Sequence, residues 1–450
     1  MSEAAKTEED FKGVRGAWYV VILLAMANGV SFMDRGFVAL VIDPIKQTLH
    51  VTDTQIGLMI GPAFIIFYST VSLPIAQLAD AHNRKRIILA GMFFWSACTA
   101  LFGLARNFAT LGVARMGIGL GEAALVPAGV SIIGDMVPRA KIGRAVSMFT
   151  AGGILGGSLS SILGGFLMLW LTKIGVIHIP VFGDLHPWQS AFVIISLPGI
   201  VLGFVIMLTM REPMRRARAT AANKPKTSRQ TARYLWTNKR AVLSLILGFA
   251  FISGVSSGGG WTPTFFMRTY NLSPATVGTA IGSMALTLGV FGAVLGGWTA
   301  DLLRKRGRED ANILVAVAAM LLMLPMSVTI FMTNYVWIAF SLMAGKVLLT
   351  SMAFGVAHSC VSLAVPTTMR SQAVAVYLLC ANFFGIGFVP LLIPVMTDYV
   401  FRDPLSLRYS LAMVSVVGTP ISVGLLLIAR RPFLSHLRDL AAPAPSPAAA

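Results

Sequence analysis

The chain is poor in acid. Asp and Glu together number 18 against 36 Lys and Arg, and charged residues of either sign fill only 12% of its 450 positions. Soluble globular chains carry about 25% charged residues. With 56% of residues hydrophobic, too little polar surface is left to wrap a soluble fold, and that class is excluded. Cysteine is nearly missing as well. Cys98, Cys360 and Cys380 all fall inside apolar runs, which argues against a disulfide framework or a metal site. No GxxxxGK(S/T) loop occurs and no polar stretch could house a nucleotide-binding domain, so the chain is not an ATPase. Strict alternation of polar and apolar residues is absent too, which excludes a spanning β-barrel. The opening residues, MSEAAKTEEDFKGVRG, mix both signs and show no cleavable signal peptide.

What remains is oil in long stretches. Mean hydropathy is +0.76, and a spanning helix needs roughly 20 mostly apolar residues. About twelve such runs lie near 17–42, 55–79, 87–105, 108–134, 143–170, 189–210, 241–267, 275–300, 311–333, 335–364, 371–398 and 407–429. The expectation is an all-α integral membrane protein, multi-pass, placed in a bacterial inner membrane.

Basic residues orient it. Connections after even-numbered runs hold His82-Asn83-Arg84-Lys85-Arg86, then Arg139, Lys141 and Arg144, then Arg304-Lys305-Arg306 and Arg308. The longest connection carries ten Lys and Arg between Arg211 and Arg240. Odd connections hold only scattered bases such as Lys46, Arg106 and Lys173. Cytoplasmic loops collect Lys and Arg, so both termini are expected in the cytoplasm. The same loops account for the +18 formal charge. Bases spread this way suit anionic lipid headgroups, and no nucleic acid is expected as partner.

The chain also repeats. Gly57, Ile60, Gly61, Ala79 and Asp80 recur 221 positions later as Gly278, Ile281, Gly282, Ala300 and Asp301. Val137-Pro138, Ala145-Val146 and Gly157 recur 228 positions later as Val365-Pro366, Ala373-Val374 and Gly385. Two such offsets indicate one duplication with a short insertion, so six helices repeat as six in the same orientation. The expected divisions are a cytoplasmic segment 1–16, a six-helix bundle 17–210, a basic linker 211–239, a second bundle 240–430 and a disordered tail 431–450 ending in AAPAPSPAAA.

Parallel six-helix halves are the plan of major facilitator transporters. The loop LADAHNRKR (78–86) resembles that superfamily's signature, with Asp80, Arg84 and Lys85 matching and Ala76 and Asn83 standing where glycines are commonest. GGWTADLLRKR (296–306) supplies the second copy, with Gly297 and Asp301. An acid at one helix end can accept from the amino end of another and pair with Arg. Asp80, Arg84, Lys85, Asp301 and Arg144 are therefore read as a cytoplasmic latch. Within the superfamily, MDRG in the first helix and RMGIGLGEAALVPAG (115–129) in the fourth resemble the spinster family. Sugar-acid and organic-anion symporters share a similar Asp-Arg.

Five strong charges lie deep inside the runs, away from their ends: Asp34, Arg35, Arg115, Glu122 and Lys346. Neighbours on a helix point about 100° apart, so Asp34 and Arg35 each need a partner on another helix. Charges at bilayer depth face the bundle interior or a wet cavity, and they pair. At about 1.5 Å per residue, Asp34 and Arg115 reach matching depths, and Glu122 follows on the face of Arg115 two turns deeper. The expected pairs are Asp34 with Arg115 and Arg35 with Glu122. Lys346 falls in the window of helix ten that the repeat offsets assign as the counterpart of Glu122; it either faces the same cavity or snorkels. The family resemblance implies that helices one, four, seven and ten line a central cavity, which places all five residues there.

Burial raises a carboxyl group's hold on its proton and a nearby Arg lowers it. Glu122 is thus the first candidate proton carrier and Asp34 the second. Arg35 or Arg115 would meet an anionic substrate group, as Arg does in bidentate fashion. Phe64 and Tyr68 in helix two, with Tyr377 and Phe383 in helix eleven, are candidates to line an apolar pocket. AGGILGGSLSSILGG (151–165) reads as close helix packing, and the glycines and Pro263 of SGVSSGGGWTPTFF (253–266) invite a bend. His178, Asp184 and His186 read as solvated loop polarity, with no metal site. The expected function is a monomeric, cofactor-free secondary transporter with alternating access and proton coupling. Spinster resemblance implies an amphipathic lipid substrate, of lysophospholipid or sphingoid type. A small organic anion or sugar acid is the alternative, and a sensor without flux is the reading from another class.

Overall fold

The computed structural model describes residues 16–180, 183–213, 228–366 and 369–441. The expected N-terminal segment up to residue 15, residues 214–227 of the linker and 442–450 of the tail lie outside the described residues.

Among the described residues, twelve helical segments are long and apolar enough to span a membrane. They are α1 (Ala17–Leu40), α2 (Asp53–Ala79), α3 (Arg84–Gly103), α4 (Phe108–Met136), α5 (Ile142–Ile174) and α6 (Pro187–Thr209), followed by α7 (Lys239–Ser256), α8 (Pro274–Lys305), α9 (Ala311–Met332), α10 (Val336–Leu363), α11 (Gln372–Phe401) and α12 (Pro404–Leu437). A helix satisfies its own backbone polar groups, which hydrocarbon cannot do. Their starts carry ordinary signals: Thr52 and Gln55 form a reciprocal cap, as do Asn107 and Thr110, and Pro187 and Pro274 occupy first turns. Outward faces stay apolar, with Leu208 78% and Trp337 81% exposed. Surface of that kind belongs in lipid.

Two interruptions matter. The seventh run was expected to reach residue 267, but α7 stops at Ser256. Gly258 and Gly260 take φ of +56° and +83°, a left-handed turn that other residues resist. A separate helix, Thr262–Tyr270, then starts with Pro263 in its first turn. Helix α4 is likewise two pieces, Phe108–Glu122 and Leu125–Met136. Pro127 explains the gap: it offers no N–H to the Ala123 carbonyl four residues back, and its ring crowds that oxygen. Glu122 therefore sits at a helix end inside a span.

The one non-helical pairing among the described residues is an antiparallel hairpin of β1 (Ile177–Ile179) and β2 (Gly183–Leu185) between α5 and α6. Its register sets His178 opposite Asp184, and His178 Nδ1 lies 2.8 Å from Asp184 Oδ1.

By contact the chain groups into two compact units. Unit 1 comprises Met1–Arg218, Gly260–Leu286 and Pro390–Leu407; unit 2 comprises Ala219–Gly259, Thr287–Val389 and Arg408–Ala450. In unit 1 the glycines of α5 meet backbone directly. A Cβ on Gly152 would lie 2.0 Å from the Ala25 oxygen, one on Gly156 2.0 Å from the Gly29 oxygen, and on the α8 side one on Gly278 2.0 Å from the Ser161 oxygen. Unit 2 is centred on Phe249, Met320, Val361, Tyr377, Leu426 and Phe433. Two short segments differ from expectation. Helix Ser228–Thr237 forms inside the expected linker, where Leu235 is buried. The last helix, Leu407–Ala441, runs into the expected tail because Phe433 is buried in the core and Leu437 packs on it.

Candidate functional site

Unit 1 holds a buried ionic cluster where α1 meets α4. Glu122 Oε2 accepts from Arg35 Nε at 2.7 Å and Arg35 Nη2 at 2.5 Å. Ser31, one turn before Arg35 on α1, donates its hydroxyl to the same oxygen at 2.7 Å. The Arg35 guanidinium also lies over three rings, 4.9 Å from Phe32, 4.7 Å from Phe64 and 5.0 Å from Tyr68. Cation–ring attraction is strongest where water is excluded. Phe64 and Tyr68 stack on each other at 5.6 Å, so these two aromatics of α2 form one wall of the cluster.

The second expected pair is not made. Asp34 turns to α3 and accepts from the Thr99 hydroxyl at 3.1 Å, while the Arg115 guanidinium sits 4.8 Å over Phe64. The reason is azimuth: one residue along α1 rotates the side chain about 100°, from α4 at Arg35 towards α3 at Asp34. Phe64 consequently carries two guanidiniums, and Asp34 influences Arg115 through the field rather than by contact. Asp34, Arg115 and Glu122 are each no more than 2% exposed. Asp34 Oδ1, Glu122 Oε1 and Arg115 Nε and Nη1 have no hydrogen-bond partner among the described residues. Buried polar atoms are ordinarily bonded, and here four remain without a partner among the described residues.

At the basic end of unit 1, Arg84 is buried and gathers three elements. It bonds Asp135 of α4, the Ser131 hydroxyl at 3.2 Å, Glu212 Oε1 at 2.9 Å and the Pro213 carbonyl at 3.1 Å. Glu212 also accepts the N–H groups of Arg84 and Lys85 at 3.3 and 2.8 Å, and Lys85 Nζ reaches the Met207 carbonyl at 2.8 Å. The expected arrangement, an acid on a helix amino end beside an Arg, is present with Glu212 as the acid. The side chain of Asp80 lies outside the described residues. Arg144 is exposed, and Asp301 in unit 2 pairs with its own helix neighbour Arg304 at 3.1 Å.

The opposite end of unit 1 carries a clamp that no charge motif flagged. Arg268, on Thr262–Tyr270, bonds Asp43 at 2.6 and 2.9 Å and Asp53 at 2.7 and 2.8 Å. Lys46 adds a 3.0 Å bond to Asp53. Burial works against the Arg268 charge, but the bonds to Asp53 and Asp43 outweigh it and hold its pKa above the ordinary guanidinium value. Nearby, Asp398 Oδ2 accepts from the N–H and hydroxyl of Thr54, both at 2.7 Å.

Unit 2 contains the remaining candidates. Lys346 is 1% exposed with its Nζ unpartnered among the described residues, 5.1 Å from the Phe331 ring. Tyr377 is buried against Phe249 and His358, whereas Phe383 is 53% exposed beside Phe384 and Phe388. Of the four expected pocket aromatics, only Phe64 and Tyr68 border the ionic cluster.

Among the described residues, twelve apolar spans and a buried, incompletely bonded ion cluster mark a multi-pass membrane protein. The Major Facilitator Superfamily model matches residues 24–390, and the chain belongs to that superfamily. It is 27% identical over 403 residues to an MFS-type efflux pump of Mycolicibacterium smegmatis, covering 88% of this chain and 87% of that one. It is 25% identical to the probable L-galactonate transporter of Escherichia coli, covering 93% and 90%. Protein spinster homolog 1 of Xenopus tropicalis is 27% identical, covering 89% and 78%. The crystal structure of a bacterial homolog of the human lysosomal transporter Spinster, inward-facing and unoccupied, aligns with a TM-score of 0.78 at 25% identity, covering 96% of this chain and 99% of that one. The fold is thus the major facilitator fold, and the chain is spinster-like.

Proposed function

We propose that this transporter couples proton movement to that of an amphipathic, lipid-like substrate by alternating access, with Glu122 as proton carrier and Asp34 assisting. The observation that carries this reading is the half-bonded carboxylate. Glu122 Oε2 takes all three donors while Oε1 takes none. Oε1, which accepts no hydrogen bond, is the oxygen a proton would take. A carboxylate that gains and loses its Arg partner during the transport cycle changes its hold on a proton at each step. The break at Pro127 gives the α4 segment bearing Glu122 a point about which to shift.

Arg115 is the better candidate for the substrate's anionic group, since two of its nitrogens are unbonded and Arg35 is already committed to Glu122. Phe32, Phe64 and Tyr68 offer an apolar lining for the adjoining chain. Lys346 is unit 2's own candidate for an anionic group. The spinster relatives support a lipid-like substrate. Resemblance to the probable L-galactonate transporter favours a second reading, a small organic anion on the same arginine. The basic loops support cytoplasmic termini, and the bacterial homolog supports a bacterial inner membrane; the candidate latch residues are Arg84 and Lys85 in unit 1 and Asp301 in unit 2.

Proteoliposomes with an imposed pH gradient test both readings. Saturable, gradient-driven uptake of labelled lysophospholipid supports the lipid substrate, and uptake of labelled sugar acid supports the alternative. Saturable flux of neither, in protein that is folded by thermal melt, would favour a sensor.

A further inference from the structure

We infer that unit 2 carries a separate site for a phosphate-bearing group at the basic end of α8, α9 and α10. A cavity of about 490 Å³ opens there. Its polar wall is made by Arg304 of α8, Asn312 of α9, Ser359 and Ser362 of α10, and Arg370 beyond them. Asp301 is the single acid lining it among the described residues, so the two guanidiniums leave the cavity net positive.

The arginines are placed to bind. Arg304 is braced: Nη1 donates to Asp301 at 3.1 Å and Nη2 to the Asn312 side-chain oxygen at 3.3 Å. Those two bonds use two of five N–H groups, and the rest remain on a side chain held in position. Arg370 is exposed and opens helix Arg370–Asn382, whose N-cap Met369 provides no side-chain acceptor. The dipole of that end favours an anion. The opposite wall is apolar, from Ala300, Val356 and Leu363. It is rigid too, since α10 packs on α8 at Gly355, where a Cβ would lie 2.5 Å from the Ala293 oxygen.

Forked guanidiniums, hydroxyls and a helix amino end recognise a tetrahedral oxyanion. The location narrows the source. The cavity stands beside Arg304-Lys305-Arg306, at the end of a span where lipid headgroups lie, and basic pockets between spanning helices hold phosphorylated headgroups. The apolar wall suits the first carbons below such a headgroup, whereas a soluble phosphoester would use the polar wall alone. The site is independent of the ionic cluster in unit 1.

Native mass spectrometry of the purified full chain, titrated with phosphatidylglycerol and with phosphatidylcholine, tests this. Calorimetric titration with inorganic phosphate forms the second arm. Wild type should hold phosphatidylglycerol in preference, and Arg370→Gln should weaken it about tenfold, the loss of one charge-assisted contact. Lys305→Gln, an exposed neighbour outside the cavity, should leave binding unchanged. Ser359→Ala with Ser362→Ala gives a milder loss that does not depend on charge, and covers the case in which Arg304→Gln fails to fold. Phosphate binding with the same Arg370 dependence, and no lipid preference, assigns the site to a soluble phosphoester. Equal effects of Arg370→Gln and Lys305→Gln, or none from either, would overturn the site.

Discussion

Residue-scale chemistry at Glu122 makes a graded prediction. Ser31→Ala removes one neutral donor from an oxygen that keeps two others, and should cost about 1 kcal/mol. Arg35→Gln strands a buried carboxylate and should cost about 3–5 kcal/mol. Adding Glu122→Gln to Arg35→Gln removes the stranded charge, so the double variant should melt above the single one. Thermal melts of the four proteins in one detergent check the ordering; a double variant less stable than Arg35→Gln would contradict the pairing. The pairing itself was legible, because a charge at bilayer depth needs an opposite partner on another helix and Glu122 is the acid that helix four offers Arg35. Asp34 was misread because depth says nothing of azimuth, and its actual partner, Thr99, is uncharged and so invisible to a search for opposite charges. Ser31 could have been found: it lies one turn before Arg35 on the same face.

Among the elements, the α1–α5 contact separates two adjacent glycines. Gly156→Ala drives a methyl into the Gly29 backbone, and should cost about 1–3 kcal/mol. Gly157→Ala meets nothing within 4 Å and should be neutral or, through helix propensity, slightly stabilising. Melting curves decide it, and equal losses from both would mean the helices do not pack through Gly156. Arg268→Gln is the corresponding test at the clamp. It leaves Asp53 buried with Lys46 alone, and should open Thr262–Tyr270 to hydrogen exchange while the helices around Trp95 stay protected. An unchanged exchange pattern would show that the clamp holds nothing. Small-residue spacing announced the α5 packing, and the Gly-Gly-Gly run announced the end of α7. The Arg84 node was half legible: Arg84 was marked, but its partners Asp135 and Glu212 stand 51 and 128 positions away. No local pattern ties them to it.

For the whole molecule, the twelve runs and the repeat carried the fold class, because hydrocarbon tolerates so few alternatives to the helix. The contact units were not legible, since residues 260–286 and 390–407 group with unit 1 although the repeat assigns them to the second half. Charge bias predicts that tags on both termini are reached by protease only from the cytoplasmic side; protection of one and not the other in inside-out vesicles would contradict an even number of spans. The central account concerns Glu122, and its most direct test is proton flux itself. Proteoliposomes loaded with a pH-sensitive dye should acidify or alkalinise when substrate is added to wild type. With Glu122→Gln that signal should vanish while substrate counterflow, which needs no net proton movement, persists. Substrate-dependent proton flux of wild-type size in Glu122→Gln would contradict the account.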